Sequence, residues 1–90
     1  MEVPVLIPTP LRAFTGGARR VPVRATTVGE ALDQLALRFP PLRAQLFADG
    51  GLRAFVNVFV NDENARDLDG PATRLASGDV LDLIPSIAGG

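Results

Sequence analysis

Apolar and polar positions along this chain follow two rhythms in turn. Val3 to Pro8 (VPVLIP) is a short apolar run that predicts a first strand. Pro4 and Pro8 lack amide donors, which predicts an edge strand or prolines at non-bonded positions. Residues 9–18, with Gly16–Gly17, predict a loop or wide hairpin. Arg20 to Ala25 (RVPVRA) then predicts a second strand, antiparallel to the first. There the rhythm changes. Val28, Ala31, Leu32, Leu35, Ala36 and Phe39 have the spacing of one buried helical face, while Glu30, Asp33, Gln34 and Leu37 point away from it. Thr27 and Glu30 fit a capping box, with a hydroxyl at the N-cap and a carboxylate at the third helical position. Pro40 ends this helix, because the residue before a proline is pushed out of the α region. Pro40–Pro41 can open a shorter helix through Leu42, Leu46 and Phe47, ended by Asp49, Gly50 and Gly51.

Strand rhythm returns at Phe55 to Asn61 (FVNVFVN), the strongest strand signal in the chain. Val56, Val58 and Val60 fall on one face, where they are predicted to meet Leu32, Leu35 and Phe39 in the core. Phe55, Asn57, Phe59 and Asn61 fall on the other. Asp62, Glu63 and Asn64 predict a turn, Ala65–Arg66 a short return strand, and residues 67–77 a polar loop with one helical turn. Gly78–Asp79 is another turn, and Val80 to Pro85 (VLDLIP) is the last strand. The order predicts an α+β fold, a mixed sheet with one main helix packed on one face, as in the β-grasp or ubiquitin-like fold. Residues 1–85 are expected to form that domain, and residues 86–90 (SIAGG) a flexible C-terminal tail.

Composition narrows the chemistry. A chain of 90 residues makes one domain. At that size about 60–65% of the unfolded surface is buried, which leaves little room for a deep active site. No apolar stretch approaches the roughly 18 residues that span a bilayer. Met1, Glu2, Val3 and Pro4 do not begin a signal peptide, so the expected location is cytoplasmic. The net charge is −1, and Arg19–Arg20 is the only adjacent basic pair, read as a strand flank. No basic stripe points to nucleic acid or a membrane surface, and the free chain is expected to be a monomer.

The chain has no Cys, His, Trp, Tyr or Lys. That excludes thiolate chemistry, histidine bases, Ser–His–Asp triads and zinc sites built on Cys or His. What remains is ten carboxylates, nine arginines and two serines, Ser77 and Ser86. Asp62, Glu63 and Asn64 do not form a calcium loop, because Arg66 stands at the fifth position and Gly70 comes too late. No metal site, bound cofactor or catalytic residue is expected, and the chain is not expected to be an enzyme by itself. The missing lysine has two open explanations: codon bias, or protection of an activated terminus from self-acylation.

Several segments together resemble the MoaD/ThiS family of ubiquitin-like sulfur carriers, and within it the CysO type. They are Leu11–Arg12 with Thr15–Gly16–Gly17, Phe55 to Arg66 (FVNVFVNDENAR), Ser77–Gly78–Asp79, and Pro85 to Gly90 (PSIAGG). The resemblance implies that the working group is the C-terminal carboxylate of Gly90. A ubiquitin-activating-type adenylating and sulfurtransferase partner would adenylate it with ATP, and a sulfur donor would displace AMP to leave a thiocarboxylate. The sulfur would pass to an acceptor enzyme, a pyridoxal-phosphate-dependent cysteine synthase or a thiazole-synthase-type barrel. Thiosugars and other sulfur metabolites are further destinations, and the FVNVFVNDENAR segment favours cysteine.

The tail chemistry has a physical basis. Gly89 and Gly90 have no Cβ and Ala88 is small, so a thin tail can enter a partner's narrow active site. Phe55 and Phe59 are expected on the sheet face that the helix leaves open, as candidate docking residues for the adenylating partner. Three alternatives remain: a protein modifier using the same activated tail, a small subunit of molybdopterin synthase, and a passive interaction domain.

Overall fold

The computed structural model describes residues 2–48, 50–53 and 56–85. Along the chain these form β1 (Glu2–Leu6), β2 (Arg20–Arg24), α1 (Val28–Arg38), α2 (Pro40–Leu46), β3 (Phe47–Ala48), β4 (Gly51–Leu52), β5 (Val56–Val60), β6 (Glu63–Asn64) and β7 (Leu81–Pro85). The main sheet has the order β2-β1-β7-β5-β6. β1 runs antiparallel to β2 and parallel to β7, and β5 runs antiparallel to both β7 and β6. The sheet is therefore mixed, as the element order predicts, with the last strand at its centre.

The predicted helical face is the buried one. Val28, Ala31, Leu32, Leu35 and Ala36 are buried, Phe39 packs on the core edge, and Leu37 is 67% exposed. Against them lie the inward residues of the strands, among them Val56, Val58, Leu81 and Leu83. Each such side chain contributes about 1.5–3 kcal/mol of burial free energy. Thr27 caps α1 in extended geometry, its hydroxyl accepting from the Glu30 amide at 3.2 Å. The Glu30 carboxylate answers by accepting from the Thr26 amide at 2.8 Å, one residue before the cap. Both of Phe39's backbone groups serve helices. Its amide closes α1 on the Leu35 carbonyl and its carbonyl accepts from the Leu42 amide in α2, so the break at Pro40 costs no backbone bond there.

Three local readings change. Thr9–Thr15 is a 3₁₀ helix, not an open loop, with Leu11 and Thr15 buried. Gly16 (φ 65°) and Gly17 (φ 87°) end it, with the Gly17 amide donating to the Arg12 carbonyl. The return strand is Glu63–Asn64, and Ala65–Asp67 is a 3₁₀ turn. The shift arises at Asn61, which takes a left-handed conformation (φ 58°) and so allows a two-residue turn between paired Val60 and Glu63. Phe47 leaves α2 to begin the small β3–β4 hairpin, which pairs Phe47 with Leu52 and Ala48 with Gly51. Asp49 lies outside the described residues.

The remaining loop is held on the helix side. Gly70–Ala72 supplies the predicted helical turn and comes so close to α1 that a Cβ on Gly29 would sit 3.1 Å from the Pro71 carbonyl oxygen. The Ser77–Gly78–Asp79 turn is tied to Asn61. Asp79 accepts from the Ala76 amide at 2.8 Å and from Asn61 Nδ2 at 3.0 Å, while Asn61 Oδ1 accepts from the Val80 amide at 3.1 Å.

Candidate functional site

Two features belong together: the end of β7, from which the tail follows, and the sheet face opposite α1. Pro85 closes β7 opposite Val56, and Ile84 stands opposite Asn57. The Asn61 amide donates to the Val80 carbonyl, which fixes the alternation along this pair. Asn57 and Ile84 therefore share a bonded rung, while Val56 and Pro85 form a non-bonded pair. The carbonyl of Val56 points away from β7. Gly90, Gly89 and Ala88, the predicted reactive segment, lie outside the described residues, as does Phe55.

The open face is built row by row from the register. Arg20, Leu6, Asp82, Phe59 and Asn64 stand side by side across all five strands. Phe59 is half-buried on this face, as the alternation of β5 predicts, with Asp82 on one side and Asn64 on the other. Leu6 is half-buried too, and Ile84 is 42% exposed. The 3₁₀ helix at residues 9–15 packs against α2, and Gly70–Ala72 packs against α1. A shallow depression of about 410 Å³ adjoins the tail root, lined by Pro8, Pro10, Asp82, Leu83, Ile84 and Pro85. Arg12 braces its rim, donating from Nε to the Ile7 carbonyl at 3.0 Å. Leu6, Phe59 and Ile84 surround Asp82 of the central strand, and this surface runs up to Pro85, where the tail begins.

A second recess of about 420 Å³ lies on the helix side, among Leu32, Phe47, Leu52, Val58 and Pro71. Among the described residues, Asp33 and Arg66 are the charged ones that line it. No group of three or more His, Cys, Asp or Glu that could hold a metal ion occurs among the described residues. None of the described helices is long and apolar enough to cross a membrane.

Sequence reasoning did not single out Asn57, Asn64 or Arg66 as site residues, yet the structure joins them at the tail root. Arg66 Nη1 donates to Asn57 Oδ1 at 2.7 Å, and Nη2 donates to the carbonyls of Arg53 (3.0 Å) and Val56 (2.9 Å). Asn64 Nδ2 donates to the same Asn57 oxygen at 3.2 Å, and Asn64 Oδ1 accepts from the Arg66 amide at 3.0 Å. The available signal was the placing of amides and a guanidinium through the strongest strand and its return.

A mixed sheet with a central C-terminal strand and one helix across a single face is that of the ubiquitin-like β-grasp proteins. The chain belongs to the ThiS family, whose model matches residues 5–90. It is 39% identical to the sulfur carrier protein CysO of Mycobacterium tuberculosis, over the full length of both. It matches a chain of the Amycolatopsis orientalis BexX/CysO complex with a TM-score of 0.89 and 40% identity, over 98% of this chain and 99% of that one. It is also 42% identical to small archaeal modifier protein 1 of Haloferax volcanii, over 87% of this chain and 90% of the relative.

Proposed function

We propose that this chain is a sulfur carrier whose reactive group is the carboxylate of Gly90. The observation that carries this reading is the tail root. The central strand ends at Pro85 beside an open apolar face, and five small or apolar residues follow it to Gly90. Family membership and the full-length likeness to a named sulfur carrier support it.

The chemistry balances as two displacements. The carboxylate attacks the α-phosphorus of ATP on an adenylating partner and releases pyrophosphate. A sulfide-level donor then attacks the acyl carbon and expels AMP, leaving a thiocarboxylate. The body docks through Phe59, Leu6 and Ile84, while Ala88, Gly89 and Gly90 enter the partner's active site. An acceptor enzyme, a cysteine synthase or a thiazole-forming barrel, then takes the sulfur. This chain supplies the carrier body and the carboxylate, and its partners supply the catalytic groups.

Deleting Gly89–Gly90 tests the reading. Pyrophosphate release in the presence of the adenylating partner should vanish while binding to that partner persists. Undiminished release from the shortened chain would refute it. The likeness to an archaeal modifier protein favours one second reading, conjugation of the same activated tail to lysines of other proteins. Stable conjugates that survive reduction and denaturation, with no thiocarboxylate, would select it.

A further inference from the structure

We propose that Arg66 is a positioning residue for the tail, fixing the strand end from which Gly90 is delivered; this rests on the carrier function above. β6 is two residues long and pairs with Phe59 and Val60, so among the described residues the first half of β5 has no neighbouring strand on that side. The carbonyl of Val56 points to that side, where no described strand offers it an amide donor. The Arg66 guanidinium takes the place of the missing strand. One fork binds the carbonyls of Arg53 and Val56 and the side chain of Asn57, and Asn64 braces the same Asn57 oxygen.

The two residues so held are the ones on which the tail root rests. Val56 stands opposite Pro85, and Asn57 stands opposite Ile84. If the start of β5 frays, Ile84 and Pro85 lose their template, and the tail leaves the sheet from an earlier and less fixed point. A carboxylate delivered to a distant active site depends on that exit direction, and small misplacements of a reacting group are costly. All three acceptors of the side chain are neutral, and planar fork geometry is what spans them. A lysine keeps the charge but cannot reach three acceptors in one plane. The geometry, not the charge, is the working feature.

The test is steady-state pyrophosphate release with the purified adenylating enzyme from the same organism, ATP, a sulfide donor in excess to discharge the acyl-adenylate, and saturating carrier. Arg66→Ala and Arg66→Lys should each lower kcat about 10- to 100-fold, with the affinity of the body for the enzyme unchanged. Thr27→Ala, a helix-cap variant far from the tail root, is the stability control and should keep kcat. A simple loss of folded protein acts as a lower effective carrier concentration and does not change kcat at saturation. If Arg66→Ala is too unstable to purify, Arg66→Lys, which keeps the aliphatic stem, decides alone. An unchanged kcat for Arg66→Lys, or an equal fall for Thr27→Ala, would overturn the role. If the wild-type chain releases no pyrophosphate, the carrier function itself fails, and the two failures are thereby distinct.

Discussion

Val56 and Pro85 face each other across the antiparallel β5–β7 pair, and Pro85 is the last residue of the sheet's central strand. The described sheet thus ends at Pro85, with Ser86 and Ile87 between it and the segment that is proposed to enter partner sites. Body and tail are separable on this account. A chain ending at Pro85 should unfold cooperatively with a stability within about 0.5 kcal/mol of the full chain, in the range of changes outside the core. Chemical denaturation monitored by circular dichroism checks this, and a loss of several kcal/mol would mean that residues 86–90 belong to the domain.

Phe59 is the proposed docking anchor. It is half-buried, flanked by Asp82 and Asn64, and lies on the face away from α1. Phe59→Ala should weaken binding to the adenylating partner by about 2 kcal/mol, roughly thirtyfold, as aromatic anchors at interfaces commonly do. The fold should survive, because the inward face of β5 is made by Val56, Val58 and Val60. Calorimetric titration measures the first effect and thermal melting the second.

Asn61 is a structural pivot. Its backbone is left-handed, and its side chain joins Asp79 to the Val80 amide. Asn61→Gly should lose only the side-chain bonds, about 1–2 kcal/mol. Asn61→Ala adds left-handed strain and should cost about 1 kcal/mol more. The order of the two variants in a denaturation series is the informative result, since it separates backbone strain from hydrogen bonding.

The α1 cap makes a simpler prediction. Thr27→Ala removes the acceptor for the Glu30 amide and should destabilise the domain by about 1 kcal/mol. A fall of about 4–8 °C in melting temperature is expected for a domain of this size.

The parts legible in the sequence were those with a long period or a chemical signature. The α1 face from Val28 to Phe39 spans three turns, the cap at Thr27 has its partner three residues on, and β5 alternates valine with larger or polar residues. The elements that escaped are short. β3 and β4 have two residues each, too few to show alternation, and the 3₁₀ helix at residues 9–15 is masked by Thr9, Pro10 and Gly16–Gly17, which have the composition of a loop. The return strand was displaced because one left-handed asparagine tightened the turn. The face carrying Phe59 could be read from the alternation of β5. The Arg66 clamp could not, because it depends on β6 stopping after Asn64, a feature of tertiary pairing.

The central claim turns on one atom at the C-terminus. Intact-mass measurement after incubation with ATP, the adenylating partner and a sulfide source tests it most directly. The expected result is a gain equal to the exchange of one oxygen for sulfur, localised by fragmentation to Gly90 and abolished when Gly89–Gly90 are removed. An unchanged mass with a partner proven competent on another carrier would contradict it.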